Sequence, residues 1–465
     1  MSAPARGSPR PLGPRDIVRA GLCIGCGACV ARAERPGPRM ALDRDGHYRP
    51  KGPAAWYRGR SPEFARTCPF SPAASHEDEL AAGLFPEAEH HHPAVGRYRS
   101  AFVGHAAEGS FRAQGSSGGL ASWVLAELLA RGLIDAAAHV AAVERPRHEG
   151  RLFRYRISRS EEDIRAGAKS RYYPVELSEV VAAIRAVPGR YAVVGVPCFV
   201  KAVQLLRRED PLLRERVVFT LGLVCGHMKS ARFVESLAWQ MGTALEAVQQ
   251  VEFRRKDPNR PASTYTAELT LADGRRLRRD WWNLADGDWG AGFFQNPACD
   301  FCDDVVAETA DIAFGDAWVE PYASDGRGTN VIVIRSPVLE RVIASGLDAG
   351  RLQLRPVDAG FVEQTQAAGL RQRREGLAYR LSRRRSGIMP RKRVGPAAPP
   401  SLRRRLIYRA RASISAWSHR VFRVARLIRW PGFYLLWARR VAAIYHGLAY
   451  SRGRFGALVD WLSPD

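Results

Sequence analysis

Short apolar runs recur through the middle of the chain, separated by longer stretches with helical spacing. The runs are five to eight residues long and rich in small or branched apolar residues: 100–104, 137–143, 191–196 and 217–224. Such runs are typical of strands buried on both faces of a parallel sheet. The longer stretches favour helices: 120–129, 176–187 and 230–245. The pattern predicts an α/β core of the mixed α+β kind.

The pattern changes after Val251. Polar and apolar residues alternate over 264–271, Asp273 and Gly274 form a turn signal, and a second strand-like stretch covers 275–282. This arrangement predicts a β-hairpin. The aromatic residues of this region are expected to pack in the core or near a bound cofactor: Trp281, Trp282, Trp289, Phe293 and Phe294.

The C-terminal part is strongly basic and amphipathic. From Arg371 onward there are 23 Lys or Arg residues and three acids, so this part carries +20 of the total formal charge of +24. No acid occurs over 401–459, where arginines alternate with Trp, Leu, Ile and Phe at near-helical spacing. Pro431 divides the region into two predicted helices. The near-neutral remainder argues against reading the whole chain as a nucleic-acid binder.

Eight cysteines fall into two groups of four, with none left over. The first group joins a C-x-x-C-x-x-C run to a remote Cys-Pro: Cys23, Cys26, Cys29 and Cys68. Four thiolates facing one pocket are the ligand set of a cubane iron–sulfur cluster, and Gly25 and Gly27 permit the tight turns around it. Zinc sites favour separated pairs, and disulfides require export, for which Met1–Asp16 has no apolar segment. The sequence therefore predicts a cluster here and a cytoplasmic location.

The second group is more dispersed along the chain: Cys198, Cys225, Cys299 and Cys302. Cys198 and Cys225 each follow a predicted buried strand, and the carboxyl ends of parallel strands are where α/β sheets place their sites. The C-x-x-C pair must fold back onto them. Spacing alone leaves an alternative open. Cys198 and Cys225 would then be ordinary buried thiols, and the C-x-x-C pair would bind zinc or no metal.

Two further segments have phosphate-binding chemistry. The loop 115–119 is rich in glycine and serine and precedes an apolar helix, so free N–H groups and hydroxyls converge there. The segment 167–173 offers two cations and hydroxyls after a helix-like stretch. A helix-capping turn and a solvated loop are the respective alternatives.

These motifs, in this order, resemble the coenzyme F₄₂₀ hydrogenase/dehydrogenase β-subunit family. The resemblance extends from about Leu22 to Arg335 and ends with A-D-I-x-x-G-D-A-W and G-x-N-x-I-x-I-R. It implies a 4Fe-4S cluster on the second cysteine group and a further 4Fe-4S cluster on the first. It also implies that FAD is bound by the following residues: Ser116, Ser117, Gly118, Gly119, Lys169, Ser170 and Tyr172.

The same resemblance leaves several roles open. Asp311, Gly315, Asp316 and Trp318 match a family motif without an assigned role, and the two aspartates would be general acids, ribose binders or turn caps. The family core does not require the basic tail, and deazaflavin use does not follow from the pattern.

The resemblance and the residues together predict an iron–sulfur flavoprotein oxidoreductase. Electrons would come from a ferredoxin-like donor, pass through two 4Fe-4S clusters to FAD, and reduce an unidentified organic substrate. An electron-transfer subunit for a separate catalytic partner, a zinc-stabilised binding protein, and a tetrapyrrole vinyl or hydroxymethyl reductase are the alternatives.

Four segments are expected along the chain. They are a flexible N-terminus, a ferredoxin-like iron–sulfur segment with a linker, the FAD and 4Fe-4S catalytic core, and a basic amphipathic helical tail: 1–20, 21–95, 96–370 and 371–465. The tail favours association with an anionic membrane at the inner face, with an acidic protein, nucleic acid or a solvated tail as alternatives. No uncharged apolar stretch is long enough to span a membrane.

Overall fold

A computed structural model describes residues 11–33, 36–384, 386–398 and 401–462. The N-terminal part consists of short helices and one two-stranded hairpin: α1 (Pro14–Arg19), α2 (Ala28–Ala31), β1 (Arg39–Leu42), β2 (Tyr48–Lys51), α3 (Ala54–Arg58), α4 (Pro62–Thr67) and α5 (Glu77–Leu84). The short helices wind around the first cysteine group.

Residues 11–20 differ from the expected flexible N-terminus. Leu12 forms a bridge with Ser61, and α1 buries Ile17 almost completely. The expectation is wrong for this stretch because two apolar side chains anchor it among the first cysteines. Residues 1–10 lie outside the described part of the chain.

The middle of the chain supplies most of the elements. Those up to residue 240 are β3 (His90–His92), β4 (Gly96–Tyr98), β5 (Ser100–Ala106), α6 (Phe111–Gln114), α7 (Leu120–Ala130), β6 (Ala136–Ala142), α8 (Pro146–Glu149), β7 (Phe153–Ser158), α9 (Glu161–Ala166), α10 (Ser178–Ala186), β8 (Tyr191–Gly195), α11 (Pro197–Glu209), α12 (Pro211–Arg216), β9 (Val217–Leu223) and α13 (Arg232–Gln240). Those that follow are β10 (Val248–Arg255), β11 (Thr266–Leu271), β12 (Arg276–Asp280), β13 (Ile312–Asp316), β14 (Asn330–Ile334), α14 (Pro337–Asp348), β15 (Leu352–Pro356), α15 (Ala359–Thr365), α16 (Ala367–Arg373) and α17 (Glu375–Arg383).

An eight-stranded mixed sheet organises these elements in the order β15-β5-β14-β13-β9-β8-β6-β7. The strands β6, β8, β9 and β13 are parallel neighbours, and the outer pairings are antiparallel. Alternate residues of β8 enter different cores: Tyr191 and Val193 pack with α10 and α11, whereas Ala192 and Val194 pack with α7 and α14. Burial on both faces explains the continuous apolar runs and confirms the mixed α/β prediction.

A second, three-stranded antiparallel sheet has the order β10-β11-β12. Its β11–β12 pair aligns Thr266 with Asp280, and Gly274 adopts a positive φ of 85° in the turn. The predicted hairpin is therefore confirmed. Trp281 packs in its core, but Trp282 is 65 % exposed, because the 3₁₀ turn after β12 points it outward.

The chain ends in α18 (Leu402–Leu427), α19 (Pro431–Tyr450) and α20 (Gly453–Leu462). Proline at the first position of α19 confirms the predicted division at Pro431. The two long helices extend the core of the three-stranded sheet: Phe422 stacks on Trp239 of α13, and Tyr434 lies against Phe294. The boundary expected at residue 370 falls inside α16, so the basic region begins within the folded core. Across the described ranges, no helix combines the length and apolarity needed to cross a bilayer.

Candidate functional site

The first cysteine group surrounds two glycine turns. Gly25 and Gly27 both have φ of 83°, and a Cβ on Gly27 would collide with the carboxylate of Glu176. Glycine is therefore required where the chain turns between Cys23 and Cys29. Cys68, at the end of α4, completes the group.

The thiols of this group lie close enough to act on one another. Burial raises the pKa of Cys26, and the neighbouring charges of Cys68 and Cys23 raise it further. Burial raises the pKa of Cys68 to about 12, with Cys23 adding to the effect. Four such thiols lose their protons together only if a cation offsets the charge.

The second group forms where β8 and β9 end. These strands are parallel neighbours, so Cys198 in the first turn of α11 and Cys225 after β9 lie at the same sheet edge. A 3₁₀ helix, Pro297–Phe301, returns Cys299 and Cys302 to this edge. Burial raises the pKa of Cys198, and Cys302, Cys225 and Cys299 raise it further. The structure thus brings together the four cysteines that the resemblance grouped.

Polar groups support the second cysteine set. The backbone N–H of Met228 donates to the Sγ of Cys299 over 3.3 Å. Arg373 is only 2 % exposed and donates to the carbonyl oxygens of Cys299 and Gly226. Although burial alone would lower the pKa of Arg373, the charges of Cys302 and Cys299 raise it. A fixed positive charge therefore faces the four sulfurs.

All eight cysteines are free of disulfides. Within the described ranges, no group of three or more His, Cys, Asp or Glu side chains is arranged for a metal ion. A cubane cluster spreads its four thiolates more widely than one ion does, because each sulfur binds a different iron. The donor chemistry of both cysteine sets fits an iron–sulfur cluster.

The two cysteine sets adjoin each other. Cys26 of the first set contributes to the raised pKa of Cys198, and Tyr155 lies close to both thiols. The side-chain amide of Asn296 donates to the carbonyl oxygen of Ile24 over 3.2 Å, which joins the two backbones. Charges at one set therefore act on the other.

The glycine–serine loop 115–119 lies against the segment 167–173. The N–H of Ser170 donates to the Oγ of Ser116 over 2.8 Å, and the Oγ of Ser117 donates to the carbonyl oxygen of Thr329 over 2.8 Å. Gly119 caps α7 with φ of 80°. A Cβ on Gly118 would lie 2.7 Å from the carbonyl oxygen of Gly104. The loop 115–119 thus forms a glycine-rich cradle directly before α7, and a helix N-terminus is a position that binds phosphate.

Cations border this cradle. Lys169 has φ of 98° and pairs with Glu252 over 2.8 Å. Lys256 donates to the carbonyl oxygen of Ser117 over 2.8 Å, and burial lowers its pKa to about 7. An open cleft of about 670 Å³ adjoins Lys169 and includes Arg171. Lys256 ends the sequence Phe-Arg-Arg-Lys over 253–256, and only the fold shows that it contacts the loop.

Trp289 connects the two halves of the candidate site. Its ring lies 4.7 Å from Tyr172 and 4.2 Å from His227, between ring centroids. A Cβ on Gly226 would collide with the Trp289 indole nitrogen. The residues after Cys225 and the Tyr172 segment are therefore separated by a single aromatic side chain. Periodicity could not reveal this role, because it marks Trp289 only as apolar.

The two aspartates of the family-like motif have different environments. Asp311 accepts from the N–H and hydroxyl of Thr220, both at 2.8 Å, so it joins β9 to the start of β13. Asp316 pairs with the buried Arg254 over 2.9 Å. The guanidinium of Arg254 lies over the ring of Tyr265, 4.3 Å from its centroid. Asp311 is therefore a structural residue, whereas Asp316 is linked through Arg254 to the aromatic ring of Tyr265.

Comparison with known proteins gives concordant matches. The model described as "coenzyme F420 hydrogenase/dehydrogenase, beta subunit N-term" matches residues 101–182. The corresponding C-terminal model matches residues 189–360. Together they cover more than half of the chain, including the loop at Ser116 and the second cysteine group.

A solved structure has the same fold over most of its length. It is a chain of the F420-reducing [NiFe] hydrogenase complex from Methanosarcina barkeri, with 17 % sequence identity and a TM-score of 0.50. The match covers 65 % of the present chain and 99 % of that chain. A search of curated proteins returned no match. The matched regions, the shared fold and the cysteine arrangement place this chain in the coenzyme F₄₂₀ hydrogenase/dehydrogenase β-subunit family of oxidoreductase subunits.

Proposed function

We propose that this chain is an FAD-dependent iron–sulfur oxidoreductase that takes electrons from a ferredoxin-like donor and reduces an organic substrate. The observation that carries the proposal is the convergence of four cysteines from three distant segments at one sheet edge. Trp289 then joins this edge to Tyr172, and the neighbouring Ser170 contacts the Ser116 loop. Such an arrangement suits electron transfer between two neighbouring cofactors.

Each proposed cofactor has its own residues. A 4Fe-4S cluster would be held by each cysteine group, and FAD would be held by the Ser116–Gly119 loop with Lys169, Ser170 and Tyr172. When bound, the clusters supply one-electron transfer and FAD converts single electrons into a hydride pair.

The protein residues have definable tasks in this scheme. Arg373 offsets thiolate charge in the buried second group. The N-terminus of α7 and the Ser116 hydroxyl would bind phosphate oxygens beside Lys169, and a bound phosphate would favour the charged form of Lys256. Tyr172 and Trp289 exclude water between the two cofactor sites.

The donor is expected to approach the first cysteine group. An open cleft of about 880 Å³ borders α2, the helix that carries Cys29. Its wall includes both Arg39 and Arg185 and the acids Glu149 and Glu179. A small redox protein placed here would lie beside the first group, and the second group lies behind it.

Cofactor analysis of two paired variants tests the proposal. Anaerobically purified wild-type protein should contain about eight irons and one FAD. Cys299→Ser with Cys302→Ser should lose about four irons and the spectral features of the inner cluster, and Cys23→Ser with Cys26→Ser should lose the other four. Each pair serves as the control for the other, because both change two of the four cysteines in one group.

Two outcomes would contradict the proposal. A folded wild-type protein without iron or flavin after anaerobic reconstitution would exclude the assigned chemistry. Iron content that is insensitive to the Cys299 and Cys302 substitutions would exclude the inner site. A loaded protein that accepts electrons from reduced ferredoxin but reduces no added substrate would instead identify an electron-transfer subunit.

A further inference from the structure

Exposed apolar side chains concentrate on the C-terminal helices. Of the sixteen large hydrophobic residues that are exposed in the described part of the chain, fourteen lie at or after Leu402. Scattered exposed hydrophobics are normal in folded proteins, but a concentration of this kind marks an interaction surface. The redox proposal makes no use of this surface.

The long helix α18 has two opposite faces. Ile414, Phe422 and Ala425 are buried in the core that α18 shares with the three-stranded sheet. Leu406 and Trp417 are exposed and follow one another at helical spacing on the other side. One face therefore fixes the helix to the protein, and the opposite face is open.

The turn between α18 and α19 is the most exposed part of this surface. Leu427 is 83 % exposed, and Ile428, Trp430 and Phe433 are also exposed within the next six residues. These residues form the tip of the hairpin, where no packing against the core accounts for their apolar character. Tryptophan and phenylalanine are the residues that anchor peripheral helices at the membrane interface.

The charge of the surface has one sign. No acidic residue occurs over 401–459, so the helices themselves supply no carboxylate there. Arg420 lies over the ring of Trp417, 5.0 Å from its centroid. Within the described residues, no carboxylate lies within ion-pair distance of Arg429, Arg439 or Arg440. Cations available for an external anion therefore flank the exposed apolar residues.

We propose that this outward face of α18, the hairpin tip and α19 binds the surface of an anionic lipid bilayer. The tip residues enter the headgroup region, and the flanking arginines bind lipid phosphates. An acidic protein partner fits the charge, but it gives no reason for large apolar side chains to be concentrated at a protruding turn. The proposal is independent of the redox function.

Removing the tail would not be a clean test of this surface. On the inner face of α18, the guanidinium of Arg411 donates to the side-chain oxygen of Gln295 over 2.9 Å. The hydroxyl of Ser418 accepts from the backbone N–H of Phe294 over 3.0 Å. These contacts lie next to the second cysteine group. Point substitutions of exposed residues are therefore required, because they leave the buried face unchanged.

Vesicle flotation of the full-length protein provides the experiment. Wild-type protein should float with vesicles of equimolar phosphatidylglycerol and phosphatidylcholine, and much less with phosphatidylcholine alone. The variant Leu427→Gln, Trp430→Gln and Phe433→Gln should bind at least about tenfold more weakly. Arg439→Gln and Arg440→Gln should each weaken binding about fivefold and reduce its salt sensitivity.

Trp282→Gln is the matched control. Trp282 is 65 % exposed, similar to Trp430 at 54 %, but it lies outside the C-terminal helices. Its substitution should leave flotation unchanged, and unchanged melting temperatures should confirm that all variants are folded. If the triple variant fails to fold, the single variant Leu427→Gln is tested in its place.

The proposal is overturned if wild-type protein does not float with anionic vesicles. It is also overturned if the tip variant floats as well as Trp282→Gln. Binding that is equal on neutral and anionic vesicles would contradict the role of the arginines. Absence of vesicle binding together with tip-dependent capture of an acidic protein would assign the surface to a protein partner instead.

Discussion

At the second cysteine group, a buried guanidinium comes from outside the matched family regions. The family match ends at residue 360, whereas Arg373 lies at the end of α16. Its side chain donates to two backbone carbonyl oxygens in the cysteine loops, and thiolates at Cys302 and Cys299 would favour its positive charge. A positive charge at this position stabilises the more negative, reduced state of a cofactor bound there.

Arg373→Gln should therefore lower the reduction potential of the cluster proposed for the second cysteine group. Removal of one nearby charge corresponds to about 1–2 kcal/mol, or roughly 40–90 mV for one electron. A redox titration followed by electron paramagnetic resonance would measure the shift. Arg373→Lys keeps the charge and should restore most of the potential, which separates an electrostatic effect from simple loss of packing. An unchanged potential in Arg373→Gln would contradict the assignment.

Single residues also show what periodicity could not reveal. The cysteines, Gly25, Gly27 and the Ser116 loop are recognisable because each belongs to a local motif. Arg373 and Trp289 are not, because their roles arise from contacts with segments far away in the chain. Charge and hydrophobicity identify Arg373 only as a tail cation, and they place Trp289 in the core or near a bound cofactor without choosing between the two.

Among the elements, the junction of β5, β14 and α7 shapes the cradle. A Cβ on Gly118 would lie 2.7 Å from the carbonyl oxygen of Gly104 on β5 and 2.9 Å from the N–H nitrogen of Asn330 on β14. The side chain of Asn330 also accepts from the N–H of Leu120 over 3.2 Å. Any side chain at Gly118 must move one of these elements.

Gly118→Ala is expected to destabilise the protein by about 1–3 kcal/mol and to weaken FAD binding. The reason is that backbone atoms, rather than flexible side chains, meet the added methyl group. Denaturant unfolding and flavin titration would measure the two effects. Gly83→Ala in α5 is the control, because its Cβ meets nothing within 4 Å; it should be neutral or stabilising by up to about 1 kcal/mol. Equal behaviour of the two variants would exclude the steric account.

The individual elements were largely predictable, whereas their order in the sheet was not. Apolar runs gave β5, β6, β8 and β9, and alternation gave the β11–β12 hairpin. The antiparallel placement of β14 between β5 and β13 depends on pairing across more than two hundred residues. Local periodicity contains no information about such pairing, because it reports only which face of an element is buried.

Over the whole molecule, the N-terminal and C-terminal parts meet through two buried histidines. The Nε2 atoms of His47 and His419 lie 3.0 Å apart. The Nδ1 of His419 lies 2.9 Å from the carbonyl oxygen of Ser415, so it donates there and its Nε2 accepts from His47. Burial lowers the pKa of His47, with His419 and Arg49 adding to the effect, and burial also lowers the pKa of His419.

This pair predicts a loss of stability in mild acid. Because both folded-state pKa values lie below 6.5, the unfolded chain binds more protons once the pH falls below that value. The free energy of unfolding should decrease as the pH drops through 6.5, by up to about 1.4 kcal/mol per pH unit for each histidine. Unfolding curves between neutral and mildly acidic pH would measure this slope.

His47→Gln keeps a donor for His419 but cannot titrate, so its slope should be smaller than that of the wild-type protein. His148→Gln is the control, because His148 is exposed and should leave the slope unchanged. A slope in His47→Gln equal to that of wild type would show that the pair does not set the acid sensitivity.

The position of Arg373, Lys392 and Arg411 late in the chain has a consequence for biosynthesis. All three contact or approach the inner cysteine loops, yet every cysteine precedes them in the sequence. A ribosome therefore releases the eight cysteines before it makes the residues that cover the inner pocket. The cluster proposed for the second cysteine group would therefore find its pocket still open during synthesis, and the C-terminal residues would cover it afterwards.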